Sequence, residues 1–350
     1  MIAHCLKIWL AVATLLLANG CSTPAPVSAM DAAELAALVW PRPPEPQRIK
    51  YLQSVAGAQD WGIERTWLQR LGDALTGKSA QQFVRPSAVA EAAGVLYVAD
   101  PGTQSLWILD RENKRATQLQ KIGSEALVSP VALTLRADGA VFVADTGLNK
   151  VFLLDRAGAL LRTFATQGLE RPAALAWSEA SRRLYVLDSK RHRITVFDGN
   201  GAVLRHLGES GRGPGQLNYP THMALSASGA LLVTDALNFR IQALSQSGDF
   251  LWQFGQQGNG SGDFAAPKGI AADAGGHYYV VDALFDLVQI FDQSGQLLLV
   301  FGERGERPGQ MMMPRGIFIS DQDKVYVADA YNHRIQVFQG ALATAKESTK

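Results

Sequence analysis

The sequence predicts an all-β fold of six four-stranded antiparallel blades closed into a ring, a six-bladed β-propeller. Three observations carry the prediction. A phrase in which a strand ends in aspartate recurs at Asp100, Asp145, Asp188, Asp235, Asp282 and Asp329, at intervals of 45, 43, 47, 47 and 47 residues. Each unit opens at a proline (Pro86, Pro130, Pro172, Pro220, Pro267, Pro314) 14 to 16 residues before its aspartate. An aliphatic residue or Met stands three positions after each proline (Val89, Leu133, Leu175, Met223, Ile270, Ile317), and an aliphatic residue six positions after each aspartate (Leu106, Val151, Ile194, Ile241, Val288, Ile335). Modules of this size cannot shelter their own apolar faces and must stack on their neighbours.

Apolar alternation and turn residues place four strands in each unit. In the fifth they run 268–272, 277–281, 287–291 and 296–301, with Ala274-Gly275-Gly276 and Ser294-Gly295 as hairpin turns. An aspartate at a strand end can accept turn N–H groups and fix the bend, so the six aspartates are assigned a structural role. Five residues on, Lys150, Arg193, Arg240 and Arg334 are expected to pair with them, whereas blades one and five carry Ser105 and Leu287 there.

The sixth unit is one strand short, and Ala341 to Lys350 shows no strand pattern. Residues 47–57, around Ile49-Lys50-Tyr51-Leu52, read as an orphan outer strand. That strand is expected to close the last blade and remove an open edge.

The period, the Val-x-Asp ending and Asn332-His333-Arg334 resemble the NHL-repeat family over residues 86 to 338. The resemblance implies a six-bladed propeller, and the chain is placed with the bacterial lipoprotein members.

Upstream, Ile8 to Ala18 is an apolar run preceded by Lys7, the pattern of an export signal and short for a membrane-spanning helix. It ends Leu17-Ala18-Asn19-Gly20-Cys21, which resembles a bacterial lipobox. That resemblance implies removal of residues 1–20 and lipidation of Cys21, and Ser22 after the cysteine implies an outer-membrane lipoprotein facing the periplasm. Residues 21–46 read as a lipidated tether and Pro-rich linker, with a short helix within 31–39. Residues 58–85 read as a helical connector, with Ile63, Trp67, Leu68, Leu71 and Leu75 on one face. The propeller is assigned to 86–340 and a tail to 341–350.

Composition narrows function. The only cysteines are Cys5 and Cys21, so the mature domain has no disulfide and no thiol nucleophile. Without Lys7 the chain carries 32 basic and 32 acidic residues, a balance that gives no bulk pull toward nucleic acid. RNA binding, known in animal tripartite-motif NHL proteins, is disfavoured by that balance and by export.

Two motifs look like phosphate loops. Gly72-Asp73-Ala74-Leu75-Thr76-Gly77-Lys78-Ser79 fits G-x-x-x-x-G-K-S, but that loop must follow a strand, and here an amphipathic helix precedes it. Gly208 to Gly213 recurs in kind at 255–262 and 302–309, so it reads as an inter-blade loop.

Neither a metal nor another cofactor is expected. Amidating-lyase propellers related to the NHL proteins hold zinc with histidines from several blades. Of His192, His206, His222, His277 and His333, only His222 falls in an innermost strand, and one histidine cannot hold catalytic zinc. Gluconolactonase-type propellers use carboxylates and Asn for calcium, which the corresponding positions lack. No Ser-His-Asp order stands out.

One candidate ligand site remains. Two residues after each proline the axis is lined by Ala88, Ala132, Ala174, Gly269 and Gly316, with His222 as the exception. Around it the repeat scheme sets Arg85, Arg171, Tyr219, Lys268 and Arg315, and the other loops on that face add Arg191, His192, Phe239, Phe285, Tyr331 and His333. Such a surface suits an anionic glycan, a carboxylate-bearing ligand or an acidic protein loop. The competing reading is a solvated rim, with Glu209, Asp286 and Glu303 diluting the charge. These residues favour a non-enzymatic scaffold for a protein or glycan partner in the envelope. The alternative is a metal-dependent lyase or lactonase-like enzyme in the channel.

Overall fold

The computed structural model describes residues 30–64, 82–164 and 168–340. By contact the chain divides at Asp31. Of the first unit only Met30 and Asp31 are described, and the fold is that of the second, from Ala32 on. The expected leader, Cys21, most of the expected helical connector, the stretch 72–79 and the expected tail 341–350 lie outside the described residues.

Six antiparallel blade sheets follow the repeat, five of four strands and the last of five. Blade 1 is Ala88–Ala92, Val95–Asp100, Ser105–Asp110 and Arg115–Leu119; blade 2 is Pro130–Leu135, Val141–Asp145, Lys150–Leu154 and Leu160–Phe164. Blade 3 is Pro172–Ser178, Arg183–Asp188, Arg193–Asp198 and Val203–Leu207; blade 4 is His222–Leu225, Leu231–Asp235, Arg240–Leu244 and Phe250–Phe254. Blade 5 is Pro267–Ala272, Tyr278–Asp282, Leu287–Phe291 and Leu297–Phe301. Blade 6 takes Ile317–Ile319, Lys324–Asp329 and Arg334–Gly340 from the C-terminal end. Each innermost strand packs beside the next, and that of blade 6 meets that of blade 1, so the ring is closed.

The last blade is completed from the other end of the chain. Ile49–Val55 pairs antiparallel with Arg334–Gly340, with Ile49 opposite Gly340 and Val55 opposite Ile335. Val39–Trp40, within the stretch read as linker, pairs with Ile49 and Lys50 and adds a fifth strand to this blade. The Trp40 ring meets those of Phe301 and Phe338 at 6.0 and 5.8 Å, which holds this short strand on blades 5 and 6. The helix before it is one turn, Ala32–Ala36.

Period-two alternation explains why the ring must close. There is one hydrophobic cluster for each of the six blade-to-blade interfaces. In blade 6, Val325 and Val327 face blade 5, while Tyr326 and Ala328 face blade 1. Successive residues point to opposite sheet faces, so an unpaired blade would expose one full apolar face. Burial of each such side chain is worth about 1.5–3 kcal/mol. The described end of the connector joins in: Trp61 and Ile63 are buried, and the Arg111 guanidinium lies 4.0 Å from the Trp61 ring centroid.

The six aspartates are fully buried and act in two ways. In blades 1, 2, 3 and 5 the carboxylate accepts N–H groups from two segments: the loop leading into the innermost strand and its own turn. For Asp100 the donors are the backbone N–H groups of Val84 (2.7 Å), Arg85 (2.9 Å) and Gly102 (2.8 Å). Asp145, Asp188 and Asp282 repeat the pattern through Val128 and Gly147, Glu170 and Lys190, and Ala265 and Leu284. In blades 4 and 6 side chains replace the turn amides. Asp329 accepts from the Met312 N–H (2.8 Å) and from Asn332, Arg334 and Gln336, each at 2.9 Å. Asp235 does the same with Asn218, Asn238, Arg240 and Gln242.

The expected pairing of all four basic residues is therefore corrected. Arg240 and Arg334 pair with their aspartates. Lys150 instead reaches Glu125, and Arg193 donates to the Gly168 carbonyl. In blades 2 and 3 the turn amides already occupy the carboxylate, which leaves the cation to the preceding loop.

Candidate binding site at the mouth of the channel

The aspartate staples position the mouth. They hold the loop before each proline against the turn between the second and third strands, so both loops rise on one face. The residue four after each aspartate has left-handed backbone in every blade: Gln104, Asn149, His192, Phe239, Asp286 and His333, with φ from 50 to 57°. This turn reverses the chain between the second and third strands.

Within the ring a cavity of 520 Å³ opens at this face. All six residues singled out from the repeat scheme line it: Arg85, Arg171, Tyr219, His222, Lys268 and Arg315. The repeat explains the convergence. Arg85, Arg171 and Tyr219 stand just before the unit's proline; Lys268 and Arg315 stand just after it. The backbone N–H groups of Arg85 and Arg171 are themselves held by Asp100 and Asp188, at 2.9 and 3.1 Å.

The floor is narrow because backbone approaches backbone. A Cβ on Gly269 would lie 2.5 Å from the Arg315 carbonyl oxygen, and one on Gly316 would lie 2.4 Å from that of Ser87. His222 is the large side chain in this layer. Its Nδ1 accepts the Ile270 N–H of the next blade at 3.4 Å, and burial pushes its pKa down to about 4, so the ring is neutral at pH 7 with the proton on Nε2. A second cavity of 190 Å³, lined by the innermost strands, continues below it, and His222 borders both.

The electrostatics are one-sided. Four cationic side chains line the mouth cavity, and among the described residues no Asp or Glu does. Arg85, Arg171, Lys268 and Arg315 make no side-chain hydrogen bond or ion pair with any described residue. Burial lowers the pKa of Lys268, helped by Arg315 and Arg171 against the opposing pull of buried Asp282; burial also lowers that of Arg315, helped by Arg85 and opposed by Tyr331. Lys268 and Arg315 are thus charged at a cost that a nearby anion would relieve.

The other aromatic and basic residues of this face do not line the cavity. His192 supports it: Nδ1 accepts the Tyr219 N–H at 3.1 Å, and the two rings meet edge to face at 4.6 Å. Arg191 pairs with Glu170 at 3.0 Å, and His333 bonds the Val84 carbonyl. Of the acidic residues expected to dilute the charge, Asp286 is buried and accepts the Met313 N–H at 2.6 Å, while Glu209 and Glu303 bind Gln216 and Gln310 in the inter-blade loops.

The repeat scheme overlooked the hydroxyl groups of the cavity. Ser87 and Thr221 stand just after their prolines, and Thr146 and Ser189 just after their aspartates. Reading those two positions across all six units would have found them. Buried Gln242, Gln289 and Gln336, seven residues after their aspartates, were also overlooked; each carboxamide oxygen accepts a glycine N–H in the preceding inter-blade loop. Among the described residues no three His, Cys, Asp or Glu side chains converge in a way that could hold a metal ion.

Residues 311–338, the sixth unit, match the model of the NHL repeat. The chain is a six-bladed β-propeller whose sixth unit is an NHL repeat. No curated protein matches this propeller in sequence. Its fold is similar to that of virginiamycin B lyase from Staphylococcus aureus, with a TM-score of 0.58 and 15% identity over 75% of this chain and 97% of that one. It is similar also to an auxiliary nutrient binding protein from Bacteroides thetaiotaomicron (TM-score 0.56, 13% identity, 73% of this chain and 69% of that one). A chain of a nidogen/laminin complex resembles it at TM-score 0.52 and 19% identity, over 67% of this chain and 84% of that one. At these identities the likeness concerns the propeller fold.

Proposed function

We propose that this NHL propeller is a non-enzymatic binding module that docks an anionic group of an envelope protein or glycan at its cationic mouth. The supporting observation is the set of four cations around one cavity, none with an anionic partner among the described residues. Lys268 and Arg315 are half-buried while Arg85 and Arg171 are exposed; confined charge without a partner is costly, so the inner pair gains most from an incoming anion. Propellers of similar fold include a nutrient binding protein and a chain from a nidogen/laminin complex, so the scaffold serves binding as well as the catalysis of a lyase.

The proposal includes the address. The leader delivers the chain across the inner membrane, lipid on Cys21 anchors it, and Ser22 directs it to the periplasmic face of the outer membrane. Among the described residues no helix is long and apolar enough to cross a membrane. Cys21→Ala should abolish labelling by radioactive palmitate and move the protein to the soluble envelope fraction.

Crosslinking in intact cells followed by mass spectrometry tests the docking. The wild-type chain should yield a specific adduct that disappears in a Lys268→Glu/Arg315→Glu variant of unchanged circular dichroism. An adduct that survives charge reversal would refute docking at the mouth.

A further inference from the structure

The mouth offers two kinds of group, and together they define a ligand chemistry. Around the axis, hydroxyl groups stitch neighbouring blades by donating to backbone carbonyls: Thr146 to Pro172 (2.6 Å), Ser189 to Pro220 and Thr221 to Pro267 (3.4 Å), while Ser87 shares its proton between Val131 of the next blade (3.2 Å) and Ala99 of its own (3.3 Å). A hydroxyl has a single proton. With that proton committed to the next blade, each oxygen presents only lone pairs to the cavity it lines. Thr146, Ser189 and Thr221 therefore face the cavity as acceptors. The outer ring of Arg and Lys consists of donors only, and the neutral His222 adds an Nε2–H donor at the floor.

A bare anion satisfies the cations but not the acceptors, and a neutral polyol does the reverse. We propose that the mouth binds an acidic sugar, a polyhydroxylated ring bearing a carboxylate or phosphate. Its acid group meets the cationic ring formed by Arg85, Arg171, Lys268 and Arg315, and its hydroxyls donate to Thr146, Ser189 and Thr221. The 520 Å³ volume lies within the roughly 300–1,000 Å³ range of small-molecule sites, which suits one sugar residue entering end-on. This inference rests on the docking reading and selects the glycan from its two classes of partner.

Isothermal titration of the full mature chain with glucuronate, glucose 6-phosphate, glucose and inorganic phosphate tests it. Glucuronate or glucose 6-phosphate should bind at least tenfold more tightly than either glucose or inorganic phosphate, and the better of the two identifies the acid. Lys268→Ala/Arg315→Ala should weaken that ligand tenfold or more. Thr146→Val, close in shape, should erase the advantage of the acidic sugar over inorganic phosphate while leaving phosphate binding unchanged. Equal affinity for phosphate and sugar phosphate would overturn the inference, as would equal affinity for glucose or no binding by any probe. If the sugars fail but charge reversal at Lys268 and Arg315 still removes the adduct in cells, the acidic-sugar inference falls and docking at the mouth stands. If a sugar binds but the adduct survives, the docking reading falls.

Discussion

Tyr51 stands directly opposite Phe338 in the pairing of the N-terminal closing strand with the last strand, their rings edge to face at 5.8 Å. The two residues are separated by nearly the whole propeller, so this contact latches the ring. It sits in the cluster between blades 5 and 6, with Ile49 and Phe301 also fully buried.

Opening the latch should therefore cost the whole domain. Tyr51→Ala removes a buried aromatic and should destabilise by about 3–5 kcal/mol. Deleting residues 47–57 should lower the melting temperature by many degrees. Thermal denaturation checks both, and an unchanged melting temperature in the deletion would refute closure by this strand.

The basic residues five after the aspartates should divide into two groups. Arg334 bonds Asp329 and the Arg307 and Gln310 carbonyls, so Arg334→Ala strands a buried carboxylate and should cost about 3–5 kcal/mol. Lys150 reaches only the half-exposed Glu125, and Lys150→Ala should cost under about 1 kcal/mol. Equal losses in urea denaturation would contradict the two-way use of the aspartates.

At the axis, Gly316→Ala places a methyl 2.4 Å from the Ser87 carbonyl oxygen, a backbone atom that cannot swing aside. Overpacking of this kind costs about 1–3 kcal/mol. The variant should also weaken ligand binding by distorting the floor, whereas Ala174→Gly in blade 3 should leave binding intact.

Acid should loosen the fold through His222. Its folded pKa of about 4 lies below the ordinary 6.5, so between these values the unfolded chain takes the proton and the folded chain does not. Stability from this group is full above pH 6.5 and is lost as pH falls toward 4, by on the order of 3 kcal/mol. His206, lowered chiefly by burial, adds to the same limb. His277 opposes it: hydrogen bonding to Asp273 at 2.9 Å raises its pKa, so its contribution is present in acid and lost as pH rises through the raised value. Denaturation midpoints between pH 4 and 6.5 should be flatter in His222→Gln than in the wild type, whereas His277→Gln should leave that limb unchanged and remove the loss of stability above pH 6.5.

Most of the architecture was legible because it is periodic. Proline, aspartate and aliphatic positions recur with each unit, and alternation within a strand depends only on which sheet face a residue occupies. The orphan strand was legible by subtraction, since the last blade lacked one. Val39–Trp40 was not, because two residues carry no period and their partners lie on blades 5 and 6. Lys150 and Arg193 misled for a related reason. Their spacing from the aspartate matches Arg240 and Arg334, but their partners come from the preceding loop, which differs between blades.

At the mouth, the repeat scheme alone selected the six lining residues, since equivalent positions in a ring point to one axis. Local chain chemistry thus determined the blade, its turns and which residue types surround the channel. Tertiary structure alone decided that the acidic neighbours turn away, that the four cations have no anionic partner among the described residues, and that Thr146, Ser189 and Thr221 give their protons to the adjacent blade. Those outcomes depend on distances between atoms of different blades, which appear only when the ring shuts.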